Sequence, residues 1–158
     1  MLKHAKGNLL DLAERGEFDI IVQGCNCFNA MGGGIAKEIR ARYPEVAAVD
    51  AKTQRGDYNK LGNWTSELVI RNNGTSVFQV INAYTQYGVS TTKDMFEYLA
   101  FGLILQKLSH QFEDKRIGLP YIGMGLAGGK KETILPMIEY FAEELTKTGG
   151  SVTLVEFA

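Results

Sequence analysis

Two stretches of this sequence place glycines where backbone alone could hold a phosphate group. The first is Gln23-Gly-Cys-Asn-Cys-Phe-Asn-Ala-Met-Gly-Gly-Gly34, which follows the apolar run Asp19–Val22 and leads into helical spacing from Ile35. Three consecutive glycines leave their amides uncovered by side chains. A helix N-terminus directly after them adds orphan N–H groups and a positive dipole end, and the combination binds phosphate without a cation. The alternative is a tight strand-to-helix turn that needs positive φ. The second stretch is Gly123-Met-Gly-Leu-Ala-Gly-Gly129, which follows Arg116–Ile122. It matches G-x-G-x-x-G between a strand and a helix. A dinucleotide fingerprint opens its chain, whereas this loop is late and only one strand follows it, so a nicotinamide dehydrogenase is the outside reading. A P-loop is excluded, because Met124 stands where its first glycine is needed and Lys131 replaces Ser/Thr.

The remaining reactive side chains are few. Cys25 and Cys27 are the only cysteines, and His4 and His110 the only histidines. Met31 and Gly33 occupy the positions where a C-x5-R phosphatase signature needs arginine. The cysteines are too close in sequence for an ordinary disulfide and too few for zinc, so they read as buried structural thiols. No His/Cys/carboxylate cluster has metal-ligand spacing, and neither a metal nor another cofactor is expected. Asp94 either reaches a ligand or caps the helix that follows it. Lys130 and Lys131 either touch phosphate or sit on a solvated first turn.

The elements that position these residues alternate between strand and helix patterns. Asp19–Val22, Val77–Ile81, Arg116–Ile122 and Ser151–Phe157 read as strands. Ile35, Ile39 and Tyr43 are spaced by four, and Pro44 starts a second helix. Leu99, Leu103, Gln106 and His110 follow Asp94 at helical spacing. Thr133–Leu145 is amphipathic and stops at Lys147-Thr-Gly-Gly150. Trp64–Ile70 and Val77–Asn82 flank a turn at Asn73-Gly74 and predict a hairpin. The sheet is therefore expected to be mixed, inside a three-layer α/β/α sandwich spanning residues 1–158 as one domain. In such a sheet ligands lie beyond the carboxyl ends of the strands. If the strands before the two glycine loops are neighbours, the loops face each other and suit a pyrophosphate.

Composition narrows the classes further. Hydrophobic residues make up 45% and charged residues 22% of the 158, enough for a core without staples. A net charge of −1 gives no basis for nonspecific nucleic-acid binding or attraction to an acidic membrane. No apolar run approaches the roughly 18 residues of a membrane span, and the N-terminus lacks a secretory signal. A cytoplasmic protein is expected, with its oligomeric state left open.

Taken together, Lys6-Gly-Asn-Leu9, Gly24-Cys-Asn-Cys27, Met31-Gly-Gly-Gly-Ile-Ala36, Arg40-Ala-Arg-Tyr-Pro44, Asn82-Ala-Tyr-Thr-Gln86 and Leu119–Gly129 resemble the macrodomain family. The similarity is greatest to its ADP-ribose-1''-phosphate-processing, phosphatase-like branch, and it covers nearly the whole chain in order. The resemblance implies an ADP-ribose ligand and position-by-position roles. Gly7, Asn8 and Leu9 would face adenine; many macrodomains have Asp where Asn8 stands. Asn26 would contact the distal ribose and position water. Gly32, Gly33, Gly34 and Ile35 would form one phosphate loop. Gly123, Met124, Gly125, Leu126, Ala127 and Gly128 would form the other. Phe157 would face adenine or anchor the C-terminus in the core. Gln23 stands where related phosphatase-like members carry His; it can orient water but is no base. Asp94 could serve near the distal ribose. The activity implied is hydrolysis of ADP-ribose 1''-phosphate. A non-catalytic ADP-ribose reader and an ADP-ribosyl hydrolase acting on a modified macromolecule are the alternatives.

Overall fold

The computed structural model describes residues 1–89, 95–125 and 127–158. Six strands form one sheet in the order β1-β6-β5-β2-β4-β3. They are β1 Lys3–Lys6, β2 Ile20–Cys25, β3 Trp64–Arg71, β4 Ser76–Tyr84, β5 Arg116–Leu119 and β6 Ser151–Glu156. β3 runs antiparallel to β4, and the other pairings are parallel. The sheet is mixed, as expected from a hairpin followed by strand–helix alternation. β2 takes a central place because it is apolar on both faces. Ile20 and Val22 face one core, and Ile21 and Cys25 face the other.

Helices α1 Leu9–Glu14, α2 Gly34–Arg42 and α3 Pro44–Ala51 cover one face of the sheet. Helices α4 Tyr98–Gln111 and α5 Lys131–Lys147 cover the other. Pro44 opens α3, where its missing N–H leaves no bond unmade. The hairpin turns through Asn72, Asn73 and Gly74, all at positive φ (55°, 55° and 86°), a region those residue types enter at least strain. β5 stops at Leu119 rather than Ile122, since Pro120 has no N–H for the ladder.

The helix after residue 94 exists, but its spacing points to the wrong face. Leu99 is 91% exposed and Leu103 44%. The buried row is Ala100, Phe101, Ile104, Leu105 and Leu108. α4 is apolar on more than one side, and the bulkier row containing Phe101 takes the core. Among the described residues, no helix is long and apolar enough to cross a membrane.

Candidate functional site

β2 and β5 are parallel neighbours, with Ile20 opposite Ile117 and Ile21 opposite Gly118. The loops leaving their carboxyl ends therefore flank a common space, a cavity of about 530 Å³. Asn26, Ala30 and Gly32–Ile35 line it from the first loop, and Gly123, Gly125 and Ala127 from the second. Thr85 and Gln86, just past β4, close one end. Among the described residues, the amides of Gly32 and Gly33 have no backbone acceptor. α2 begins at Gly34, and its N-cap Gly33 supplies no side-chain cap. The N–H groups of its first turn thus stay open toward the cavity. On the opposite side Gly123, Gly125 and Ala127 also keep their amides free of described backbone acceptors.

Two residues of the second loop have other tasks. The Met124 amide donates to the Tyr121 carbonyl, and its side chain packs on the core. Gly128 donates to the Gly125 carbonyl. Neither lines the cavity. Leu126 and Asp94 lie outside the described residues.

A second hollow of about 390 Å³ shares Gly34, Ile35 and Pro120 with the first, so the two make one cleft. Its walls include Gly7, Asn8, Leu9, Val155 and Phe157. Phe157 is 78% exposed; it forms a wall of this slot rather than a core anchor. Asn8 is there too, but its side chain is committed. Its Oδ1 accepts from the Leu10 and Asp11 amides at 2.9 and 3.1 Å, capping α1. Its Nδ2 donates to Glu38 Oε1 at 2.9 Å. The carbonyl expected to meet adenine is thus occupied by the helix cap.

No family model matches the chain. An uncharacterised 17.5 kDa protein from the tk–vs intergenic region of Enterobacteria phage T4 is 30% identical over 151 residues, 92% of each chain. The chain belongs to the family of that phage protein. Among solved structures, the macrodomain of Mycobacterium tuberculosis DarG matches with a TM-score of 0.73 and 18% identity over 97% of both chains. This is a macrodomain fold. A Trypanosoma brucei macrodomain in complex with ADP-ribose matches with a TM-score of 0.66 and 15% identity, over 99% of this chain and 63% of that one.

Within the macrodomain fold, Gln23 is not brought to the cleft. It lies fully buried in β2, opposite Asn82 of β4. Its Nε2 donates to Asn82 Oδ1 at 2.8 Å, and Asn82 donates to the Val46 carbonyl and Thr65 Oγ1. Strand alternation explains the difference: Gly24 faces the cleft, so Gln23 must face the α2–α3 layer. Asn26 does line the cavity, with its side chain turned onto its own loop. Its Oδ1 accepts from the Phe28 amide at 2.9 Å, and its Nδ2 donates to the Ala30 carbonyl at 2.8 Å. Burial is the first cause that raises the thiols of Cys25 and Cys27 above their ordinary range, so both stay protonated near neutral pH.

Sequence reasoning did not single out Glu38 or Lys60. Glu38 follows Gly34 by one helical turn, a spacing that could have flagged it. Lys60 carries no such signal. Only the fold buries its ammonium against Asn29 and Thr53, at 2.6 and 2.8 Å.

Proposed function

We propose that this macrodomain binds ADP-ribose in the cleft and hydrolyses ADP-ribose 1''-phosphate to ADP-ribose and phosphate. One observation carries the reading: two sets of unpaired backbone amides face each other, one of them at the uncapped start of α2. A pyrophosphate is negative on both of its groups and needs donors from both sides. The described lining holds no lysine or arginine, so oriented amides are the groups available to hold it. The slot walled by Leu9, Val155 and Phe157 suits a base. The end with Asn26, Thr85 and Gln86 suits a ribose and its substituent. The likeness to a fold solved with ADP-ribose agrees with this layout.

In the hydrolysis, water attacks phosphorus, the bond from phosphorus to the ribose oxygen breaks, and that oxygen takes a proton. The glycine amides would stabilise the charge on the phosphoryl oxygens. The described lining offers Asn26, Thr85 and Gln86, which orient water but accept no proton near neutral pH. That observation favours a second reading, a non-catalytic ADP-ribose reader. Phosphorus NMR of ADP-ribose 1''-phosphate mixed with the protein separates them. A growing free-phosphate line beside intact ADP-ribose supports the phosphatase. Shifted or broadened pyrophosphate lines without product support the reader, or a hydrolase of another ADP-ribosyl linkage. Unchanged lines would sink the ADP-ribose reading altogether.

A further inference from the structure

Among the described residues, the slot at the base end is lined by one charged side chain. Glu38 lines it from α2, one turn past the glycines that face the phosphates. Its Oε1 is held twice, by Asn8 Nδ2 at 2.9 Å and by Arg42 at 3.1 Å. Arg42 is itself braced by Asp11 and Glu14 at 2.9 and 2.6 Å. The carboxylate is therefore fixed by a network rather than left to swing. Its Oε2 has no hydrogen-bond partner among the described residues.

Asn8 cannot read a base edge in this arrangement. An amide oxygen has two lone pairs, and the Leu10 and Asp11 amides take both. Its Nδ2 is turned to Glu38. An N–H donor entering the slot thus finds one charged side-chain acceptor, Glu38 Oε2.

We propose that Glu38 sets the base preference of the cleft, accepting from the exocyclic amino group of adenine and rejecting a base that carries a carbonyl there. The inference rests on the ADP-ribose reading and adds the residue that discriminates within it. A carboxylate set against a carbonyl places two acceptors together with no proton between them. Both have lost water, and neither regains a bond.

The test is calorimetric titration of ADP and IDP, which differ in this amino-for-carbonyl exchange and in the proton it puts on the adjacent ring nitrogen, into the wild type and Glu38→Gln. Wild type is expected to bind ADP at least about tenfold tighter than IDP, the size of one hydrogen bond to a charged group. Glu38→Gln should bring the two within about threefold, because its amide can turn an N–H toward the carbonyl. If the variant weakens both nucleotides equally and keeps the ratio, Glu38 only braces the α1 cap and the proposal falls. Equal wild-type affinities for ADP and IDP, with ADP-ribose bound, remove the proposal alone. Failure of wild type to bind ADP-ribose removes both the proposal and the reading beneath it.

Discussion

In the first glycine loop, side chains from distant segments do the holding. Lys60, 8% exposed, donates to Asn29 Oδ1 and Thr53 Oγ1, while Asn29 Nδ2 donates to the Thr53 carbonyl at 2.9 Å. This clamps Asn29 at a φ of 58°. The Gly56 amide donates to the Cys27 carbonyl, and the Cys27 amide to the Tyr87 carbonyl. The second loop is held mainly by backbone bonds, within itself and from the Met95 and Phe96 amides to the Ala127 carbonyl, and by lack of space. The Gly129 amide donates to the Gly123 carbonyl at 2.7 Å. A Cβ on Gly123 would lie 2.3 Å from the Phe96 ring, at a φ of 76°; one on Gly129 would lie 2.5 Å from the Gly123 oxygen. Gly32 and Gly125 differ from these. A Cβ on either meets nothing within 4 Å, and both line the cavity. Glycine therefore plays two parts here: at 123 and 129 it lets the chain close on itself, and at 32 and 125 it leaves room beside exposed amides.

The largest expected effect comes from Gly123→Ala. Positive φ together with the Phe96 clash should lower unfolding free energy by about 3 kcal/mol or more, read from the urea midpoint. A midpoint equal to wild type would dissolve the distinction between the two kinds of glycine. Gly125→Glu should leave that midpoint within about 0.5 kcal/mol yet weaken ADP-ribose binding by roughly a hundredfold, since it places a carboxylate among the phosphate donors. Titration calorimetry checks it, and full affinity would mean the second loop does not face the ligand.

Lys60→Met tests the external clamp. It leaves the buried oxygens of Asn29 and Thr53 short of a donor, at about 2 kcal/mol, and should weaken ADP-ribose binding in parallel by loosening the first loop. Lost stability with unchanged affinity would separate the clamp from the site. Asn8→Ala removes the α1 cap and should lower stability by about 1 kcal/mol, measurable as a shift in thermal midpoint. The smallest effect is acid dependence at the base of α2. The hydroxyl of Tyr43 first, and then Arg42, hold the Glu14 carboxyl below its ordinary value. Its folded value is depressed, so its contribution is present above the unfolded carboxylate range and is lost as pH falls through the folded value. Glu14→Gln should differ from wild type by under about 1 kcal/mol, with the gap closing as denaturation is followed from about pH 6 to about pH 3.

Much of the sheet was legible because buried strands are short apolar runs that end at turn residues. β2, β4 and β6 lie where Asp19–Val22, Val77–Ile81 and Ser151–Phe157 predict them. The α4 face was not legible: when apolar residues occur around a helix, spacing alone does not say which row docks. The glycine loops were recognisable as loops between strand and helix. Their mutual approach was not, since it depends on β2 pairing with β5 across nearly a hundred residues of chain.

The sequence by itself determined that two glycine loops leave strands and enter helices, because glycine runs, apolar strand cores and Pro44 act through local backbone geometry. It also placed Asn26 in a loop. Tertiary structure alone decided what the side chains could still offer. Strand alternation sent Gln23 into the core, the α1 cap consumed the Asn8 oxygen, and the packing of α2 against α1 set Glu38 in the slot. A side chain's free hydrogen-bonding capacity is what remains after its neighbours are satisfied, and those neighbours come from parts of the chain that only folding brings together.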